Sequence, residues 1–316
     1  MRFLFSCLLA SSLLLTEGWG IAPPFSCGWE FYAGTAGLFR SRPHHQPLVI
    51  DANTLNTVVD ANQFDFGISP GYDLRAKKWL GRFFIDGRFL KVKEWHDSFG
   101  NVALPAEAFL PTNTPPLPFF EVIPGNDFTY ASKLWTGEVN AGTCLPCFTR
   151  FNLFCGYRRA SIKEHLTIFS NTNVPAINST VAVEIKTDNS LWGPQVGAAL
   201  TCLPLCWGVS LEGFLKWWIY TDSAKGNFGT FVNNTLDESF SGSTRSKSYG
   251  VDGMLGLSTS LFKRFTLHLN YEALFLNRVA LASDQLPGIN YRTDSFVPER
   301  KSILYHGILA GISLKW

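Results

Sequence analysis

The chain has 316 residues, of which only 16% are charged and 15% are aromatic, with a formal net charge of +2. A water-soluble domain carries about 25% charged residues, so much of this surface is not made for water, and the near-neutral balance argues against a nucleic-acid partner. Past the N-terminal segment no apolar run reaches the roughly 18 residues of a membrane-crossing helix, which leaves the closed β-barrel as the way to cross a bilayer.

The first twenty residues read as an export signal. Arg2 supplies the positive start, Phe3 to Leu15 a short apolar stretch, and Gly18-Trp19-Gly20 a cleavage site, leaving 21–316 as the folded part. Ten segments then show strand-length alternation with β-branched and aromatic enrichment. They run 29–40, 63–75, 81–94, 128–142, 148–166, 190–201, 206–220, 249–260, 264–277 and 302–316. In 206–220, Trp207, Val209, Leu211, Leu215, Trp217 and Ile219 share one face, and Ser210, Glu212 and Lys216 share the other. Successive side chains of a strand point to opposite faces, so such a segment has one apolar and one polar side. In 264–277, Phe265, Leu267, Leu269, Tyr271 and Phe275 oppose Thr266, His268, Asn270 and Glu272. The chain ends on the same pattern, with Ile308, Ala310, Ile312 and Leu314 leading to Trp316. That ending resembles the terminal signal that outer-membrane barrels present to their assembly machinery.

Connections between these segments alternate long and short. Long ones fall near 41–62, 95–127, 167–189, 221–248 and 278–301, and short ones near 76–80, 143–147, 202–205 and 261–263. Bacterial barrels have an even strand number, long outer loops and tight periplasmic turns. The expected fold is therefore all-β, a transmembrane antiparallel up-and-down barrel of about ten strands, with twelve as the alternative. Its expected location is the bacterial outer membrane, with membrane lipid and the barrel-assembly machinery as partners. Trp79, Trp95, Trp135, Trp207, Trp217, Trp218 and Trp316 are expected at the two membrane interfaces, where amphipathic rings are favoured.

Several stretches resemble the type-seven family of bacterial β-barrel porins. They are Gly156-Tyr157-Arg158-Arg159, Lys163-Glu164-His165-Leu166, Asn189 to Gly197, Gly213-Phe214-Leu215-Lys216, Asn270 to Ala282 and Leu304-Tyr305-His306-Gly307, with Trp29 to Arg40 as the opening strand. The set is in order along nearly the whole chain after the signal segment. The resemblance implies an exported barrel, implies transport less firmly, and brings no catalytic residue with it.

Projecting the strands inward makes Arg82, Asp86, Arg88, Arg158, Glu164, Glu212, Lys216, Asp252 and Glu272 candidates to line the lumen. Charges there are either a solute-selective pathway or a side-chain plug. Eight strands give an interior that side chains just fill, so ten favour the plug or a narrow pore. Cys144, Cys147, Cys202 and Cys206 fall near two short turns and read as disulfides, as thiols, or as a zinc site. No cofactor is expected. The leading function is a structural or surface barrel, not an enzyme; the alternatives are a channel for small solutes and, further off, a hydrolase built on loop residues such as His44, His45 and Asp97.

Overall fold

The computed structural model describes residues 28–100, 102, 108–112, 126–145, 148–174, 177–205, 208–262, 264–290 and 295–316. The export signal, Cys147, Cys206 and Trp207 lie outside them, and the side chain of Cys202 does too. The first part of the chain forms β1 (Trp29–Arg40), β2 (Pro47–Asp51), β3 (Thr57–Asp60), β4 (Ser69–Leu80), β5 (Phe83–Val92), β6 (Trp95–Gly100) and β7 (Ala108–Phe109). Long strands follow: β8 (Asp127–Leu145), β9 (Phe148–Val174), β10 (Ile177–Pro204), β11 (Val209–Val232), β12 (Thr235–Phe262) and β13 (Phe265–Val279). Two short strands, β14 (Ile289–Asn290) and β15 (Ser295–Phe296), precede the last, β16 (Lys301–Lys315).

Ten of these form one antiparallel ring in the order β1, β4, β5, β8, β9, β10, β11, β12, β13, β16. β16 returns to β1, from Glu30 opposite Lys315 to Arg40 opposite Tyr305, and β5 pairs with β8. β6 continues the line of β5 along β8, with Trp95 opposite Ser132 and Gly100 opposite Asp127. Each of the ten ring strands pairs with a neighbour on both sides, so within the ring the backbone polar groups are satisfied without water.

The wall is inverted relative to a soluble barrel. Phe31, Leu74, Ile85, Leu153, Leu215 and Leu269 point outward and are exposed, Leu215 at 61%, whereas Asp73, Arg88, Arg158 and Glu272 are buried inside. An apolar girdle running round the whole ring is far larger than the few hundred Å² that a water-facing surface tolerates. Its surroundings are hydrocarbon, and the strands are transmembrane.

Three expectations are corrected. The second strand runs 69–80, not 63–75, and the turn is at Gly81 and Arg82, where Gly81 has a φ of 68° that only glycine adopts freely. The polar pair Lys77-Lys78, read as a turn, is strand: it pairs with Asp86 and Ile85 across β5. The segments near 167–189 and 221–248 are not loops but the far halves of the β9–β10 and β11–β12 hairpins. The second hairpin turns at Asn233 and Asn234, both at positive φ (49° and 62°), the pattern of a two-residue hairpin turn. Trp95 and Trp218 face inward and are buried, away from the membrane interface; the Trp95 indole N–H donates to the Leu38 carbonyl at 2.9 Å.

Long connections close the far mouth. Those around β2, β3 and β7 form a small sheet in the order β3-β2-β7, and Leu48, Val49 and Val59 are buried with Phe64 and Phe66 in the core. Both phenylalanine rings stack edge-on against Tyr130 of β8, each at 5.2 Å. From the opposite wall, 280–290 drops into the same mouth, with Leu281, Ala282, Leu286 and Ile289 fully buried.

Candidate functional site in the barrel lumen

Alternation along each strand delivers the inward side chains, and their charges balance. Midway along the lumen sit four cations, Arg75, Arg88, Arg158 and Lys216, with four carboxylates, Asp73, Glu138, Asp252 and Glu272. Arg88 is the hub. Its Nε donates to Asp73 Oδ1 at 2.9 Å, and its two terminal nitrogens donate to Glu272 at 2.9 and 2.5 Å. Arg75 donates to Asp73 from Nε at 2.9 Å, so one carboxylate receives two guanidiniums. Arg158 donates to Thr136 Oγ1 at 2.8 Å and to Asp252 at 2.7 Å, and Lys216 donates to Glu138. Gln195 adds a donor to Glu138 at 3.0 Å. Apart from Arg75, these charged side chains are 0–5% exposed. Removing ions from water costs several kcal/mol each, and only such multiple, charge-assisted pairing offsets it.

A second layer lies toward the long-loop end. Arg40 donates to Glu164 at 2.5 Å and to the Tyr130 hydroxyl at 3.1 Å, and its guanidinium lies 4.4 Å from the Phe66 ring centre. Tyr130 and Ser132 also donate to Glu164. The same carboxylate accepts the backbone N–H of Ala282 at 2.9 Å, which ties the 280–290 cap to the wall. Asn189 completes the tie: its amide donates to the Ala280 carbonyl at 2.8 Å and accepts from the Ala280 N–H at 2.9 Å.

Toward the short-turn end the lumen widens into a cavity of about 180 Å³. Asp86, Arg88, Glu138, Glu212, Lys216 and His268 are among its walls.

Of the nine expected lumen residues, Asp86, Arg88, Arg158, Glu164, Glu212, Lys216, Asp252 and Glu272 point inward. Arg82 does not. It occupies the β4–β5 turn, is exposed, and offers its carbonyl to the Cys144 N–H at 2.9 Å. The misplacement follows from the turn lying further along the chain than expected. The cysteine pairing falls on Cys147 and Cys206, outside the described residues, so Cys144 is described without its expected neighbours. The loop residues do not converge. Asp97 accepts from the backbone N–H groups of Asp65 and Ser98, while His45 contacts Asn62 and lies 3.6 Å from Asp60. Sequence reasoning did not single out Tyr130, Asn189 or Ser313. Each sits at an inward position of a long strand, and parity within the strand was the available signal.

No family model matches the chain, and no curated protein matches it. Among solved structures, it is similar to the outer membrane protease OmpT from Escherichia coli at 8% identity, covering 94% of this chain and 99% of that one with a TM-score of 0.48. The translocator domain of the autotransporter NalP from Neisseria meningitidis is 10% identical, with 99% and 95% coverage and a TM-score of 0.43. A Pseudomonas aeruginosa FadL homologue is 9% identical, with 92% and 90% coverage and a TM-score of 0.34. Likenesses at this level transfer no activity. The architecture follows from this chain's own closed pairing and inverted wall: it is a β-barrel of the outer-membrane type.

Proposed function

We propose that this protein is a bacterial outer-membrane barrel with a closed lumen, serving the envelope as a structural or surface-exposed element and not as an open porin. One observation carries the reading. The charged layer at mid-lumen is almost wholly inaccessible, with Arg88, Arg158, Lys216 and their carboxylates 0–5% exposed, and the far mouth is capped above it. A water-filled path past these groups would leave them wet. The type-seven porin resemblance agrees with the barrel and does not require transport. Membrane lipid would contact the apolar girdle, and the assembly machinery would engage the last strand, ending in Trp316.

Single-channel recording of the refolded protein in planar bilayers tests this. The expected result is a silent membrane at protein densities where an open porin gives discrete steps. Stable unitary conductance would replace the reading with a narrow channel for small solutes.

A further inference from the structure

Glu212, His268 and Ser313 form one hydrogen-bonded row on the inner wall. Glu212 Oε1 lies 2.7 Å from His268 Nδ1, and His268 Nε2 lies 2.9 Å from Ser313 Oγ. The row crosses four strands, because Glu212 is on β11, His268 on β13 and Ser313 on β16. Between Glu212 and β13 stands Gly256 of β12, directly opposite Glu212 and with no side chain to block the reach. An ionised carboxylate can only accept, so Glu212 holds the ring proton on Nδ1 and leaves Nε2 to accept from the Ser313 hydroxyl. This is the orienting acid, general base and nucleophile arrangement of acyl-transfer enzymes, which is recognised by geometry and not by sequence order.

Two features separate the row from the plug. Asp73, Glu138, Asp252 and Glu272 each bond an Arg or Lys, whereas Glu212 is hydrogen-bonded to an imidazole whose far nitrogen faces a hydroxyl. All three residues also line the 180 Å³ cavity at the short-turn end, together with the apolar side chains of Phe214 and Met254.

We propose that Ser313, His268 and Glu212 are a serine-hydrolase centre inside the barrel, acting on small acyl esters that enter from the short-turn end. Nε2 of His268 takes the proton as Ser313 Oγ bonds to the ester carbonyl carbon. Collapse of the tetrahedral adduct breaks the ester C–O bond, and the leaving alcohol departs with the proton from His268. Water, deprotonated by the same nitrogen, then attacks the acyl-serine and releases the carboxylic acid, restoring the Ser313 hydroxyl. Ester and water become acid and alcohol.

Strand N–H groups are spent in the ladder, so the adduct's oxyanion needs side-chain donors. Tyr32 is one: its buried hydroxyl has no hydrogen-bond partner among the described residues, and its ring stands edge-on to His268 at 5.4 Å. Gly34 and Gly311, opposite each other on β1 and β16, let that ring lie across them, because a Cβ at either would fall within 2.6 Å of the hydroxyl oxygen. Arg75, 4.7 Å from the Tyr32 ring centre, puts a cation on the same wall. The cavity is smaller than the roughly 300–1,000 Å³ of sites for drug-sized ligands, which restricts the acyl group to a short chain.

The test uses the full refolded chain in detergent micelles, with a small fluorophosphonate probe and 4-nitrophenyl acetate and butyrate. Expected are covalent labelling mapped by peptide mass spectrometry to Ser313, loss of the label in Ser313→Ala, and a labelling rate at least ~100-fold lower in His268→Ala. Ester hydrolysis should fall in parallel, with Ser313→Ala still folding to the same strand content by circular dichroism. Ser313→Cys should regain reaction with the butyrate ester. A folded parent that takes no label, or takes it elsewhere, and hydrolyses the esters no faster than Ser313→Ala overturns the proposal. Bilayer silence or conductance does not enter this readout.

Discussion

Arg88 holds two carboxylates at once, so its loss differs in kind from loss of a surface cation. Arg88→Ala would leave Asp73 with the partly exposed Arg75 and Glu272 with no hydrogen-bond donor among the described residues, both carboxylates buried. Breaking a buried pair by removing one partner costs about 3–5 kcal/mol. Lys163, paired with Asp188 at 3.0 Å on the outer surface, is 61% exposed, and Lys163→Ala should cost at most about 1 kcal/mol. Urea unfolding of the two refolded variants, side by side, checks the contrast. The outer face of β11 gives a second test. Leu215 faces the hydrocarbon, and Leu215→Arg should cost about 2–4 kcal/mol near the midplane in the same assay. A Leu215→Arg barrel as stable as the parent would mean that the outer face of β11 is wet.

Which residues face in was legible because a strand's period is two: once a segment was located, Glu212, Lys216, Asp252 and Glu272 followed by parity. The far halves of the hairpins were not legible, and the reason is a change of phase. On β10, Trp192 and Val196 point outward into lipid, and Asn189 and Gln195 point inward. Beyond the membrane the polarity reverses on the same strand: Val181, Val183 and Ile185 are buried inward, while Lys186 and Asp188 are outward in water. A pattern search sees alternation break near 189 and reports a loop. The cap was hidden for another reason, since its role depends on contacts with Asn189 and Glu164, far away in sequence. One consequence can be measured. Asp284, in the cap, is fully buried, and neither carboxyl oxygen has a hydrogen-bond partner among the described residues. Burial, reinforced by the Glu164 carboxylate and opposed by Lys301 and Arg40, pushes its carboxyl up to about 7. A raised carboxyl means that the folded cap keeps a proton which the unfolded chain has released, so stability falls as pH rises from about 4 to about 7 and levels off above. The protection of amides 280–290, taken as each exchange rate relative to the base-catalysed intrinsic rate at that pH, should be lower at about pH 8 than at about pH 5. Asp284→Asn, which cannot ionise, should remove that difference; an unchanged pH dependence would sink the argument.

At the scale of the whole barrel, two closures lie in series along one axis. The outer one is the cap with the small β3-β2-β7 sheet, held by the hydrogen bonds that Asn189 donates to Ala280 and Glu164 accepts from Ala282, and by apolar packing on Tyr130. The inner one is the neutral ion layer around Arg88 and Arg158, built entirely from wall residues that make no hydrogen bond to the cap among the described residues. Their independence has a consequence for transport. Replacing 281–290 by a short glycine linker should speed exchange of the amides around Glu164 and wet Arg40, yet leave the bilayer silent, because the inner layer stands on strands that the change does not touch. A cap-deleted barrel that conducts would make 280–290 the sole gate and the ion layer permeable. If it stays silent while Arg40 becomes accessible, the barrier lies in the wall itself, where ten strands leave little more room than side chains fill.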